Sequence, residues 1–245
     1  MEIGHMGAEW WEYSQPFRHV HITNLLDAAK YRVVTDRFRQ VRSPVRDAFK
    51  ARIANYGAHI AAIDETLALD FSPLFLPSFI ETLYRILKLP SLSRIDGALH
   101  HHPPGSVTGW IHTDYCSAWF DEAVSGRFPN RLTCGYFEGE VKSVTARPVE
   151  YVRAATMIYY LDNDDWRPGD GGETAVYSTP SGAGPMALIA PISNTAVLFE
   201  CTPHSYHRFI ENRRIARNSI VLWLHCTLEE AHARFGGGVS RRGPR

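Results

Sequence analysis

"NTAVLFECTPHSYHRFIENRRIARNSIVLWLHC", residues 194–226, is the stretch on which the fold turns. Two apolar runs, each of strand length, flank a polar turn that carries His204 and His207. Arg217 stands at the head of the second run, where burial is expected. A buried guanidinium needs an anionic partner, and a dicarboxylate ligand supplies one through a bidentate fork.

Upstream the same texture recurs from about residue 95. "GALHHH" (97–102), "TGWIHTD" (108–114), "AATMIYYLD" (154–162), "GGETAVYS" (171–178) and "MALIAP" (186–191) are short, rich in β-branched and aromatic residues, and separated by Gly, Pro and Asn/Asp turns. Several short strands with regular turn signals predict an antiparallel barrel or sandwich. The first third reads as helical. Residues 24–41 place apolar side chains at helical intervals behind Thr23 or Asn24 as N-cap. Residues 43–63 open on Ser43-Pro44, a good helix start, and in 73–90 Ser78 and Glu81 have the spacing of a capping box.

Composition narrows the class. Lys plus Arg and Asp plus Glu both number 26, so there is no basic excess of the kind that marks a nucleic-acid footprint. No apolar run approaches the ~20 residues that span a bilayer, and "MEIGHMGAEWWEYSQPF" (1–17) has no basic region followed by an apolar one. Cys116, Cys134, Cys201 and Cys226 are scattered without a CxxC, which predicts a reducing compartment rather than a disulfide framework. The expectation is a soluble, cytoplasmic protein with neither nucleic acid nor membrane as partner.

Within "GWIHTDYCSAWF" (109–120), alternation along a strand sends His112 and Asp114 to the same face. Alone, H-x-D is a weak signal. With His204 or His207 as a third donor it becomes two histidines and a carboxylate with open coordination positions, the set that suits a non-haem Fe(II) oxygenase. Asp162, Asp164 and Asp165 read as a solvated turn, Cys116 as a small buried hydrophobe, and one of His100, His101 and His102 as facing inward.

These motifs resemble those of the 2-oxoglutarate/Fe(II)-dependent dioxygenases, in particular their prolyl-4-hydroxylase-like branch. "HPPGSVTGWIHTD" (102–114) resembles the Gly-rich approach to the first ligand. "IYYLDNDDWRPGDGGETAVY" (158–177) resembles a Tyr-Leu-Asn strand followed by a Gly-Gly turn, and "RNSIVLWLH" (217–225) an Arg-led last strand with Trp six residues on. The resemblance spans about residues 97–227. It implies a double-stranded β-helix (jelly-roll, cupin-like) core, mainly β with α. It also implies Fe(II) held by His112, Asp114 and His207, with His204 left in the turn. Arg217 would take the distal carboxylate of 2-oxoglutarate with Tyr160 assisting. Trp223 would lie near the cofactor floor, and His102 would stand where close relatives have tyrosine.

On this basis residues 1–94 are expected to be a helical buttress, 95–230 the catalytic core and 231–245 a flexible tail. The segment 115–156, longer than in those relatives, is expected to be a substrate-selecting lid, with Arg127 and Arg131 available for an anionic group. The implied cofactors are Fe(II), 2-oxoglutarate and O2, with ascorbate as an optional reductant. The implied activity is hydroxylation of an unactivated C–H bond of a small molecule, an amino acid or natural-product intermediate. The alternatives are a prolyl or other residue in a polypeptide, and a cupin-type metalloenzyme with no use for 2-oxoglutarate or Arg217. Because Asp114 is present, no coordination position is freed for halide. Oligomeric state is not legible in the sequence.

Overall fold

The structure, a computed structural model, describes residues 8–46, 48–51, 57–89, 94–123, 135–181 and 183–239. Its strands are β1 (Glu9–Tyr13), β2 (His19–Thr23), β3 (Lys50–Ala51), β4 (His59–Ala62), β5 (Arg94–His102), β6 (Ser117–Asp121), β7 (Pro148–Tyr160), β8 (Thr174–Tyr177), β9 (Ala187–Ile189), β10 (Thr195–Glu200), β11 (Tyr206–Phe209) and β12 (Arg217–Thr227). Among the described residues four α-helices accompany them: α1 (Ala28–Arg42), α2 (Glu65–Asp70), α3 (Pro77–Leu87) and α4 (Leu228–Phe235). The major sheet runs β1-β2-β10-β7-β12-β5-β4-β3, with β6 on the lower part of β7; the minor sheet runs β11-β8-β9. All pairings are antiparallel. The two sheets form the jelly roll.

Period-two alternation decides which side chain goes where. Met157 and Tyr159 of β7, Ala196 and Leu198 of β10, and Ile220, Leu222 and Leu224 of β12 pack toward Val34 and Phe38 of α1 and Ile80 and Leu83 of α3. Their neighbours Ile158, Tyr160, Val197, Phe199 and Val221 point the other way and meet Val176 and Ile189 of the minor sheet. Strands buried on both faces read as continuous apolar runs, which is why "NSIVLWLHC" shows no alternation in sequence.

The first third departs from its all-helical reading. Residues 59–62 are β4, paired on β5 from His59↔His101 to Ala62↔Ala98, not the end of a helix. Pairing with an available sheet edge overrides local helix preference here. β1 and β2 extend the opposite edge, so the expected buttress contributes four strands as well as helices. Helix starts also shift. Asp27, whose side chain accepts from the Lys30 amide at 2.9 Å, caps α1; Asn24 instead takes a left-handed turn at φ 49°. Leu76 occupies the cap of α3 with no side-chain bond, and Pro77 starts the helix, so Ser78 falls inside the first turn and the capping box does not form. Residues 231–235, expected in a flexible tail, complete α4, which a true capping box of Thr227 and Glu230 initiates.

The long segment 115–156 is a hairpin in its described parts. β6 pairs with the start of β7 from Ser117↔Val152 to Asp121↔Pro148. Residues 135–140 form a closed turn, with the Gly139 amide donating to Gly135 and the Gly135 amide to Glu140, both at 2.8 Å. Gly139, at φ 69°, lies so close to the Trp119 ring that a Cβ would approach it to 2.6 Å. Arg127, Arg131 and Cys134 lie outside the described residues. Among the described residues no helix is long and apolar enough to cross a membrane.

Candidate active site

His112 lies just before β6, and an isolated antiparallel bridge locks its backbone to His207 of β11 through amide-to-carbonyl bonds of 3.1 and 2.9 Å. The two imidazoles face each other with ring centroids 4.4 Å apart. Each ring turns Nδ1 onto a backbone carbonyl, Trp110 O at 3.0 Å for His112 and Ser205 O at 3.1 Å for His207. A carbonyl only accepts, so Nδ1 carries the proton and Nε2 presents its lone pair, the tautomer a metal requires. The Nε2 atoms stand 3.8 and 3.7 Å from Asp114 Oδ1 and Oδ2. One ligand atom from each residue lies within 4.8 Å of the others, and among the described residues this is the one such group of three or more. His204, the competing third donor, is exposed in the turn.

The Asp114 carboxylate is 4% exposed and held from behind. Thr156 Oγ1 and Trp223 Nε1 both donate to Oδ2, at 2.8 and 2.9 Å, and Arg153 Nη1 reaches Oδ1 at 3.4 Å. The Arg153 guanidinium lies over the Trp223 indole at 4.0 Å. Trp223 thus touches the carboxylate of the triad. Arg153 and Thr156 were not read from the sequence. The only signal was their position on an apolar strand, and it is the pairing of β7 with β6 at Ser117↔Val152 and with β12 at Trp223↔Thr156 that brings them to the site. Outer partners of this kind typically hold about 10- to 100-fold in metal affinity. Thr156→Val should therefore weaken Fe(II) or Ni(II) binding by about that factor; an unchanged dissociation constant by calorimetry would show that the hydroxyl has no such role.

Arg217, 4% exposed, opens β12 at the other end of the same cavity. Its Nη1 donates to Ser219 Oγ at 2.9 Å and its Nη2 to Thr174 Oγ1 at 3.2 Å. Nε has no hydrogen-bond partner, and among the described residues no acid forms an ion pair with this guanidinium. A buried charge without a counter-charge is costly, so the site fits an anionic ligand. Tyr160, whose ring lies 5.1 Å from the guanidinium carbon, donates its hydroxyl to Thr174 Oγ1 at 2.7 Å. Burial raises the Tyr160 pKa against the opposing charge of Arg217, so the phenol remains a protonated donor.

Two features of the local chain permit this packing. Gly171, at φ 78°, passes so close to Glu211 O that no Cβ fits, and a Cβ on Gly172, at φ 85°, would press on Arg217 Cβ at 3.3 Å. The Gly-Gly turn is thus what lets the approach to β8 lie against the head of β12. Asn212, absent from the sequence reading, ties that head to residues 102–106. Its Nδ2 donates to His102 O at 3.0 Å and its Oδ1 accepts from the Ser106 amide at 3.1 Å. His102 itself is fully buried and stacked on Phe209 at 3.9 Å, and it is His100 that lines the cavity.

The cavity encloses about 500 Å³. The triad and Arg217 lie on its wall, with Ile158 and Val221 between them, and Trp110 and Phe137 contribute exposed aromatic surface. A ligand that spans from Arg217 to the triad lies along one apolar strip of the major sheet.

The 2OG-Fe(II) oxygenase superfamily model matches residues 111–225, which run from the residue before His112 to His225 near the end of β12. The site-bearing part of the chain is thus similar to a 2OG-Fe(II) oxygenase domain. Fe(II) and 2-oxoglutarate are accordingly the cofactors, the enzyme class is that of the dioxygenases, and the His112–Asp114–His207 group fits iron. No protein of curated function matches the sequence. Among solved structures, a Pseudomonas putida prolyl-4-hydroxylase is similar at TM-score 0.53 and 18% identity, over 89% of this chain and 92% of that one. A Trichoplax adhaerens prolyl hydroxylase, in complex with a hypoxia-inducible-factor oxygen degradation domain peptide fragment, is similar at 0.59 and 18%, over 88% and 86%. HygX from Streptomyces hygroscopicus, with nickel, 2-oxoglutarate and hygromycin B bound, is similar at 0.50 and 12%, over 86% and 83%. At such identities these likenesses show the oxygenase fold and leave the substrate open.

Proposed function

We propose that this oxygenase hydroxylates an unactivated C–H bond of a small molecule, an amino acid or natural-product intermediate. The observation that carries the reading is a cavity of about 500 Å³ lined by the triad and Arg217 together with the exposed aromatics Trp110 and Phe137. That volume lies within the usual range for small-molecule sites. In this reading His112, Asp114 and His207 hold Fe(II), and Arg217 holds the distal carboxylate of 2-oxoglutarate while Tyr160 donates beside it. Iron and 2-oxoglutarate together supply the oxidising chemistry, with O2 consumed and succinate and carbon dioxide released. The protein's own part is orientation and exclusion of water. Thr156, Trp223 and Arg153 fix the carboxylate, and Ile158 and Val221 keep the strip between the two ends apolar. The 115–156 segment acts as a wall that selects substrate through Phe137. Its ring packs on Tyr136 at 4.8 Å, and Tyr136 is bonded to His225 Nε2 at 3.2 Å.

A peptidyl substrate is the second reading, favoured by the peptide bound to the Trichoplax relative. A screen separates the two. Free amino acids and natural-product intermediates are incubated beside proline-containing peptides, with succinate and product mass read together. The expected result is hydroxylation of a free small molecule, and Phe137→Ala should then keep 2-oxoglutarate turnover while product per succinate falls severalfold. Hydroxylation of peptides alone would replace the first reading by the second.

A further inference from the structure

His100 lines the cavity, yet neither the triad nor the Arg217 site uses it. Only 8% of the residue is exposed, and its Nε2 is buried with no hydrogen-bond partner among the described residues. Native folds rarely leave such an atom unsatisfied, and the exceptions call for a ligand, a water or a functional role. One register pair and one ring contact place it. His100 pairs with Ser219 of β12, and Ser219 accepts from Arg217 Nη1 at 2.9 Å. Toward the triad its ring stands 6.3 Å from that of Trp223, which pairs with Asp96 further along β5 and whose Nε1 bonds Asp114. The imidazole therefore stands beside the path between the Arg217 guanidinium and the metal-binding group.

Its chemistry suits that place. Burial first, then the Arg217 charge, pushes the His100 pKa down to about 3, with Asp114 acting in the opposite sense and Arg153 in the same one. The ring is neutral at any ordinary pH, so one nitrogen donates and the other accepts. A neutral donor adds a hydrogen bond to an anionic ligand without adding a second charge that Arg217 would repel. His102 shares the strand face but is stacked on Phe209 at 3.9 Å and does not line the cavity.

We propose that His100 is a further cosubstrate-binding residue, whose imidazole hydrogen-bonds an oxygen of the 2-oxo acid lying between Arg217 and the triad. This rests on the reading of Arg217 as the 2-oxoglutarate anchor. The test is anaerobic calorimetry of 2-oxoglutarate binding to the Ni(II)-loaded protein. His100→Leu should raise the dissociation constant about tenfold or more while Ni(II) affinity stays within twofold of the parent. His100→Gln, whose amide nitrogen reaches about as far as Nε2, should recover most of the loss. Should the leucine variant fail to fold, the parent protein gives the answer. Loaded with Zn(II) and labelled at histidine nitrogen, it should show the His100 imidazole resonance shift on addition of 2-oxoglutarate. A dissociation constant within twofold of the parent in the folded leucine variant, or no shift of that resonance, overturns the assignment. Arg217→Ala measured in parallel separates the two readings. If it weakens binding while His100→Leu does not, only the His100 role falls. If neither does, the anchor reading falls with it.

Discussion

Alanine in place of His112, Asp114 or His207 is expected to lower Fe(II) affinity more than about a hundredfold and to leave no measurable hydroxylation. The bound is conservative, because partners that merely support a ligand already hold about 10- to 100-fold. The three donors are not equivalent in what else they hold. Asp114 carries bonds from Thr156, Trp223 and Arg153, so its loss also leaves the buried Arg153 without that acid. Asp114→Ala should therefore cost folding stability as well as metal, by about 3–5 kcal/mol if the pair behaves as other buried ion pairs do when broken. Asp114→Asn keeps the shape and should separate the two losses. His204→Ala is the control, since that side chain is exposed in the turn before β11. Metal titration of all five variants checks the assignment, and retention of Fe(II) by His207→Ala with loss in His204→Ala would reverse it.

The triad was legible because its determinants are local. His112 and Asp114 lie two residues apart, although the expected strand over 108–114 is reduced to an isolated bridge at His112, and Arg217 is conspicuous as a cation entering an apolar run. What supports these residues was not legible. Arg153 and Thr156 sit 39 and 42 residues from Asp114 in the chain, and it is the register of β7 on β6 and on β12 that brings them to its carboxylate. The same holds for Asn212, whose bonds reach back to the loop that leads into the triad. On β5 one of His100, His101 and His102 was expected to face inward, whereas His100 and His102 are both buried. Local pattern could not say that Phe209 would cover His102 and leave His100 at the cavity. The misread helix at 43–63 has the same origin: β4 is a strand because β5 offers an edge, and nothing within the segment announces that edge. Local pattern carried the candidate ligands and the fold class, while long-range pairing carried the residues that surround them.

Arg217→Ala should leave Fe(II) bound and raise the apparent KM for 2-oxoglutarate by about a hundredfold or more. The side chain is 4% exposed and forms no ion pair with an acid among the described residues, so the dicarboxylate would be its counter-charge. Charge-assisted forks in desolvated sites are among the stronger hydrogen bonds, and breaking such a pair from one side costs about 2–5 kcal/mol, or about 30- to several thousandfold in binding. The expectation is set at the lower middle of that range because Tyr160, Thr174 and Ser219 would remain as neutral donors. Arg217→Lys should recover little, since an ammonium cannot reproduce a planar fork between Ser219 and Thr174. The kinetic pattern discriminates further. If Arg217 binds the cosubstrate alike in ground and transition states, KM rises while kcat measured at saturating 2-oxoglutarate changes little. A fall in kcat with KM unmoved would assign Arg217 to the chemistry at the metal instead. Unchanged 2-oxoglutarate dependence in a folded, Fe(II)-binding Arg217→Ala protein would mean that this guanidinium does not anchor the cosubstrate, leaving a cupin-type metalloenzyme as the better account of the site.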